Sequence, residues 1–145
     1  MKLYTIGFTN KSASRFFELL QANHVKRILD TRINNSSQLS GFAKSNDLEF
    51  FAKAIGHIGY SHKLEWAPTK ALLDQYRKKV VLWDEYAQRY LGLLRERQIE
   101  DNLDVNELNH GCLLCSEHLP EKCHRRLLAE YIKSLHPEIE VTHLT

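Results

Sequence analysis

The residues of this chain that are best suited to chemistry lie in one stretch, 111–126, which reads GCLLCSEHLPEKCHRR. It contains all three cysteines of the protein and ends in an imidazole and two guanidinium groups, His124–Arg126. A thiolate is a nucleophile, and guanidinium groups hold anions. The apolar run Gly111–Cys115 predicts a strand, and Cys123 opens a segment that predicts a helix. The N–H groups at a helix start favour anions and thiolates, so the stretch predicts a site.

The three cysteines have different expected environments. Side chains alternate along a strand, so Cys112 and Cys115 point to opposite faces, and we expect Cys112 to be a small core residue. For Cys115 at the strand end, burial and function are equally open. The helix dipole and nearby arginines favour a thiolate at Cys123, and packing against the sheet is the alternative. A reversible Cys115–Cys123 disulfide is a further alternative, which a reducing cytoplasm disfavours.

A zinc site is a second interpretation of the same residues. Cys112, Cys115, Cys123 and His124 can be written as a four-ligand set. A zinc knuckle presents its paired cysteines from a turn, whereas Cys112 and Cys115 lie on a predicted strand. We therefore predict no metal and no cofactor.

The elements that position these groups follow from apolar periodicity. The predicted strands are Lys2–Phe8, Val25–Leu29, Tyr60–His62, Gly111–Cys115 and Ile139–His143. The first predicted helix runs from a cap at Ser12 or Ser14 to His24, and the second covers Leu48–Ile58 and is ended by Gly59. Further helices are predicted over Thr69–Lys78, Trp83–Arg97 and Cys123–Leu135, and a helical turn over Asp104–Leu108. This alternation predicts an α/β fold, a single three-layer domain over residues 1–145 with a mainly parallel sheet flanked by helices.

Two polar clusters follow predicted strands. Asp30-Thr31-Arg32 comes after the second strand and Cys115-Ser116-Glu117 after the penultimate one. Ligands of parallel sheets bind beyond the carboxyl ends of the strands, so these clusters and the start of the last helix are expected to converge on one cavity. The alternative for Asp30 and Arg32 is a structural ion pair.

One function class that stays open is an enzyme acting on an anionic or nucleotide-like substrate. In that hypothesis Cys115 or Cys123 is the nucleophile, and Asp30 and Glu117 are the acid–base groups. The sequence alone leaves open whether any reaction is catalysed.

The other class is a binding module that holds a nucleotide or nucleic acid without chemistry. In both classes Arg32, His124 and Arg125 bind the anion, whereas pairing of His124 and Arg125 with carboxylates is their structural alternative. The net charge of +2 gives no support to a general nucleic-acid binder. The expected partner is an anionic small molecule or nucleotide, with nucleic acid left open, no membrane, and no indication of oligomeric state.

Three other stretches have structural interpretations, and the first of them also has a functional alternative. Asn34–Gln38 with Lys44 forms either a loop that closes over a ligand or a solvated loop, within an irregular segment 33–45. The aromatic stripe from Trp83 to Tyr90 is expected in the core, and Arg77–Lys79 as a solvated helix end.

The N-terminal apolar run is too short for a signal peptide, and no run approaches the length of a membrane helix. An odd number of cysteines argues against a secreted disulfide scaffold. We therefore expect a cytoplasmic protein.

Several of these segments together carry a resemblance to a known family. They are Thr5–Phe8, Asp30–Arg32, Leu113–Glu117 and Cys123–Ala129. Over nearly its whole length, from Tyr4 to Leu144, the chain resembles the family catalogued as domain of unknown function 488. The resemblance implies a compact bacterial or archaeal α/β domain and no established reaction.

A second resemblance, of arrangement only, is to rhodanese-like sulfurtransferases. They also place Asp-x-Arg after an early strand, a nucleophilic cysteine at the end of a later strand, and an arginine in the following helix. Here Cys115 takes the strand-end position, but the loop to Arg125 is longer and contains Glu117 and Glu121. Two acids near a persulfide or a phosphate are unfavourable.

Overall fold

The computed structural model of the protein describes residues 1–34, 41–117 and 119–145. Within these ranges the strands are β1 Lys2–Gly7, β2 Arg27–Asp30, β3 Gly59–His62, β4 Gly111–Cys115 and β5 Glu140–Leu144. The α-helices are α1 Ala13–Ala22, α2 Ser45–Gly56, α3 Lys70–Arg77, α4 Trp83–Glu96, α5 Val105–Leu108 and α6 His124–Leu135. Short 3₁₀ helices span Gly41–Ala43, Leu64–Trp66 and Ile99–Asn102. None of the described helices has the length and apolar character needed to span a bilayer.

The five strands form one sheet in the order β3-β2-β4-β1-β5, and every pair is parallel. The predicted α/β fold is therefore confirmed. β4 lies at the centre, with Cys115 opposite Gly7 of β1 and Leu114 opposite Asp30 of β2. The register brings the two predicted polar clusters to the same edge of the sheet.

Helices cover both faces of the sheet, and each face has its own apolar core. On one face, Phe16 of α1 and Ala52 of α2 pack in a cluster that contains Cys112 and Leu114. On the other, residues of α3, α4 and α6 pack in a cluster that contains Leu113. Since side chains alternate along β4, Cys115 points to the face of α3, α4 and α6.

The connections after the strands create the crevices in which ligands of such sheets bind. The chain leaves β1 and β2 toward the face of α1 and α2, but it leaves β4 toward the face of α6. Neighbouring strands whose connections diverge in this way leave a gap at their carboxyl ends. β4 has such a neighbour on either side.

Several element boundaries differ from the predictions. β2 begins two residues late and includes Asp30, because the N–H of Val25 bonds back to Leu20 O and pairing with β4 begins only at Arg27. α2 begins at Ser45 and ends at Gly56 because His57 adopts a left-handed conformation with φ 54°. Gly59, the predicted breaker, is instead the first residue of β3.

The predicted ligand-closing loop Asn34–Gln38 lies outside the described residues except for Asn34. Within the described part of segment 33–45, the chain is not wholly irregular, because Gly41–Ala43 forms a 3₁₀ turn and α2 already begins at Ser45.

Candidate functional site

A cavity of about 520 Å³ opens at the carboxyl edge of the sheet, beside the ends of β2 and β4. Five of the seven predicted site residues line it: Arg32, Cys115, Glu117, Cys123 and His124. The other two, Asp30 and Arg125, do not line it; they are fully buried and bond to lining residues. The geometry therefore brings all seven together, in two layers.

Asp30 holds Arg32 in place. Its two carboxylate oxygens accept from Nε and Nη2 of Arg32 at 2.8 and 2.7 Å, and Oδ1 also accepts from the Arg32 backbone N–H. The Tyr60 hydroxyl donates to Oδ2 at 2.6 Å. A bidentate pair of this kind is strong and fixes the plane of the guanidinium. Asp30 therefore orients Arg32 and does not face the cavity as the predicted acid–base group would.

Arg32 retains an unused donor nitrogen. The side chain is 3% exposed, and its guanidinium carbon lies 5.4 Å from the centre of the Phe8 ring. Within the described residues, its buried Nη1 has no hydrogen-bond partner. Buried polar atoms are almost always paired, so an unpaired donor on a cavity-lining cation indicates a missing acceptor.

His124 is a neutral hydrogen-bond donor. The Thr31 hydroxyl donates to Leu114 O, so the imidazole must be the donor in its own contacts with Thr31. His124 Nε2 donates to Thr31 O, at an N···O distance of 2.9 Å, and lies 3.0 Å from Thr31 Oγ1. Burial lowers the pKa of His124 to about 4, against the opposing effect of the bond to Thr31 O. At neutral pH His124 is therefore uncharged, and its Nε2–H is used by Thr31.

Arg125 joins the strand ends beneath the cavity. Nη1 donates to Cys115 Sγ at 3.0 Å and to the backbone oxygen of Glu117 at 2.5 Å. Nε donates to Thr5 Oγ1 at 3.3 Å, and the Thr5 hydroxyl in turn contacts His143 Nδ1 at 2.7 Å. Burial lowers the pKa of Arg125 to about 10, which leaves it charged at neutral pH. Arg125 thus contacts the site from below, whereas direct contact with an anion was expected.

The two site cysteines meet above Arg125. Cys115 ends β4, Cys123 caps α6, and their Cα atoms are 7.7 Å apart. Their sulfur atoms are in bonding contact, and both lie near Arg125 Nη1, at 3.0 Å for Cys115 and 3.7 Å for Cys123. Cys112 is fully buried on the opposite face, and burial raises the pKa of its thiol.

Cys112 therefore cannot join Cys115, Cys123 and His124 around one metal ion. In the described part of the chain, no group of three or more histidine, cysteine, aspartate or glutamate side chains is placed to hold a metal. The zinc interpretation fails because the strand separates its first two ligands.

The family model described as "Domain of unknown function DUF488" matches residues 12–132 of the 145-residue chain. The chain belongs to this family. The membership predicted from the sequence is thereby confirmed, although the Thr5–Phe8 segment lies outside the matched residues. No curated protein and no solved structure matches the chain.

Gly7 of this DUF488 protein is a site residue that sequence reasoning passed over. A Cβ at this position would overlap the backbone oxygen of Glu117 and lie 2.8 Å from Arg125 Nη1. Only glycine lets the loop after β4 lie against the end of β1 and meet Arg125. The signal for it was the glycine that ends the first strand.

The far wall of the cavity in this DUF488 protein was also missed. It is formed mainly by α3 and α4, with Lys70, Leu73, Tyr76, Arg77 and Tyr86. Arg77 is the exposed last residue of α3 and Tyr86 belongs to the core, as expected, but both also line the cavity. The ring centre of Tyr86 lies 4.6 Å from that of Tyr76. Helical periodicity shows which face is apolar but not which sheet edge it covers.

Proposed function

We propose that this DUF488 protein binds a small anionic, phosphate-bearing molecule in the cavity at the carboxyl edge of its sheet. The observation that carries the proposal is the buried, unpaired Nη1 of Arg32 on the cavity wall. A buried cation with an unused donor is costly, and a phosphate oxygen would supply the missing acceptor. Asp30 supports this role because it holds the guanidinium in a fixed orientation before the ligand arrives.

The charge of the cavity wall favours the same class of ligand. The lining residues include four basic side chains, Arg32, Lys70, Arg77 and Lys122, against two acidic ones, Asp74 and Glu117. Lys70 pairs with Asp74 at 3.0 Å, which leaves Arg77 and Lys122 to reinforce Arg32. A concave wall with surplus positive charge concentrates anions.

The remaining wall favours a ligand with a flat apolar part. Pro68, Leu73, Tyr76 and Tyr86 lie on the side of α3 and α4. The volume falls within the roughly 300–1,000 Å³ range that is typical of small-molecule sites. A nucleotide suits an anionic end and an apolar side better than an extended nucleic-acid strand, which needs an open basic groove.

Calorimetric titration with inorganic phosphate, adenosine monophosphate and adenosine tests the proposal. We expect heat from the two phosphate-bearing probes and none from adenosine, with affinity falling as salt rises. Arg32→Lys keeps the charge but loses the guanidinium fork, and should weaken binding by about 1–3 kcal/mol.

Arg77→Gln should also weaken binding, whereas its neighbour Lys78→Gln is the matched control because Lys78 is exposed and outside the cavity. Equal losses in Arg77→Gln and Lys78→Gln would show diffuse electrostatics and overturn the proposed site, as would the absence of heat from both phosphate-bearing probes.

A second candidate is an enzyme that uses a cysteine on the bound molecule. It is favoured by the Arg125 guanidinium 3.0 Å from Cys115 Sγ, since a neighbouring cation stabilises the nucleophilic thiolate. In this case Cys115→Ser should abolish turnover of a phosphate-bearing substrate and leave its binding intact. Residual turnover in Cys115→Ser would rule out this cysteine as the nucleophile.

For both candidate functions we propose a cytoplasmic location, which the odd number of cysteines favours.

A further inference from the structure

Cys115 and Cys123 share features that ligand binding does not need. Both are almost completely buried, with 2% and 3% of their surfaces exposed, and both line the cavity. Their sulfur atoms are in bonding contact, and both lie within 3.7 Å of the same Arg125 nitrogen. Two cysteines packed only as apolar core would not require a buried guanidinium beside them, because its desolvation is costly.

The surroundings of the pair favour thiolate chemistry. A guanidinium that donates to sulfur stabilises the charged form, and it lies closer to Cys115, at 3.0 Å, than to Cys123. Cys123 caps α6, and its side chain makes no capping hydrogen bond to the helix backbone. Its sulfur therefore lies at the positive end of the helix dipole with Arg125 Nη1 as its donor. Cys112 differs, because it is fully buried among apolar residues of the other face, where burial outweighs the charge of Arg125 and raises the pKa of its thiol.

We propose that Cys115 and Cys123 form a dithiol–disulfide couple that exchanges with small disulfides, with Cys115 as the attacking and Cys123 as the resolving cysteine. This activity goes beyond the proposed ligand binding and does not require it. A small disulfide reaches the sulfurs through the cavity, on whose wall both lie.

The exchange is balanced when glutathione disulfide is the oxidant. The Cys115 thiolate attacks one glutathione sulfur, the disulfide bond breaks, and one glutathione leaves as a thiolate. The Cys123 thiolate, having lost its proton to solvent, then attacks Cys115 Sγ and releases the second glutathione. Two protein thiols are oxidised to one disulfide, and one glutathione disulfide is reduced to two thiols.

Intact-protein mass spectrometry after incubation with glutathione disulfide tests this sequence on the full chain. Wild type and the control Cys112→Ser should each lose two hydrogens and form a Cys115–Cys123 cross-link found by peptide mapping. Cys123→Ser should stop at a mixed disulfide between Cys115 and glutathione. Cys115→Ser should form no internal cross-link and should react more slowly than Cys123→Ser.

The proposal is overturned if the folded wild type keeps a mixed disulfide without an internal cross-link. The proposal is equally overturned if Cys115 and Cys123 of the wild type stay unreacted in the folded protein but react in urea. Loss of the cross-link in Cys112→Ser would also overturn it. Equal reaction rates for Cys115→Ser and Cys123→Ser would overturn the assignment of Cys115 as the attacking residue. Calorimetry with adenosine monophosphate on the reduced wild type, before glutathione disulfide is added, measures ligand binding separately from these exchange results.

Discussion

Asp30 and Arg32 form a buried bidentate pair in which the anion is satisfied and the cation keeps a donor for the cavity. Such a pair adds little net stability compared with apolar packing, but breaking it is expensive because one charge stays buried alone. Its value at this position is therefore the orientation of Arg32.

Asp30→Asn should destabilise the protein by about 3–5 kcal/mol, because it leaves the Arg32 guanidinium buried without its counter-charge. Urea unfolding followed by circular dichroism measures this. Asp74→Asn is the control, since it removes a carboxylate from an exposed pair with Lys70 and should leave the unfolding midpoint almost unchanged. Similar losses in both variants would contradict the role given to Asp30.

His124 should make stability depend on pH. The imidazole titrates near 6.5 in the unfolded chain, whereas burial lowers its pKa to about 4 in the folded state. Between these values the unfolded state binds the extra proton, so the free energy of unfolding falls as pH falls from about 6.5 to 4, by up to roughly 3 kcal/mol. Urea titrations across this range measure the slope.

His124→Gln is the matched variant, because the glutamine amide can still donate to Thr31 O but does not titrate. Burial also lowers the pKa of His143, so the wild type keeps a second source of pH dependence with the same sign. The difference between the two proteins isolates His124. Identical slopes for wild type and His124→Gln would show that this residue is not buried in its neutral form.

At the scale of elements, the loop after β4 meets the end of β1 because Gly7 has no side chain. Gly7→Ala forces that loop and Arg125 apart, and overpacking of this kind typically costs about 1–3 kcal/mol. Gly92→Ala is the control: a Cβ there meets nothing within 4 Å, and alanine favours the α4 helix by about 0.5–1 kcal/mol. The midpoint of denaturant unfolding should therefore fall in Gly7→Ala and rise in Gly92→Ala. An unchanged midpoint in Gly7→Ala would contradict the close approach of the loop to β1.

The elements themselves could be predicted from the sequence because their apolar patterns are local. Gly111–Cys115 was predicted with its observed bounds, and α3 begins after a Thr69 cap whose hydroxyl accepts from Leu72 N–H. The end of α2 could not be predicted, because His57 ends it in a left-handed conformation that is usual for glycine. The late start of β2 depends on its neighbour β4, which is distant in sequence.

The site was predictable only in part, for a related reason. Strand-end residues such as Arg32 and Cys115 could be placed together because parallel strands share their carboxyl edge. Which of them face the cavity depends on packing, and this placed Asp30 and Arg125 behind it. The wall of α3, with Arg77, required knowledge of where that helix crosses the sheet.

At the scale of the whole molecule, strand order explains the position of the cavity. β4 is inserted between β1 and β2, and its connection leaves toward the opposite face from theirs. Gly7 and the Glu117 backbone close the crevice on the β1 side, so the crevice on the β2 side remains for a ligand. Among the residues that the structure describes, the fold thus leaves an opening at the carboxyl edge beside the ends of β2 and β4, with the Arg32 guanidinium on its wall.

A structure determined with adenosine monophosphate bound tests the central claim most directly. We expect a phosphate oxygen within hydrogen-bond distance of Arg32 Nη1, in the cavity between the strand ends and α3. A phosphate bound elsewhere on the surface, or a phosphate in the cavity with Arg32 Nη1 still unpaired, would contradict the assignment of this cavity as the anion site.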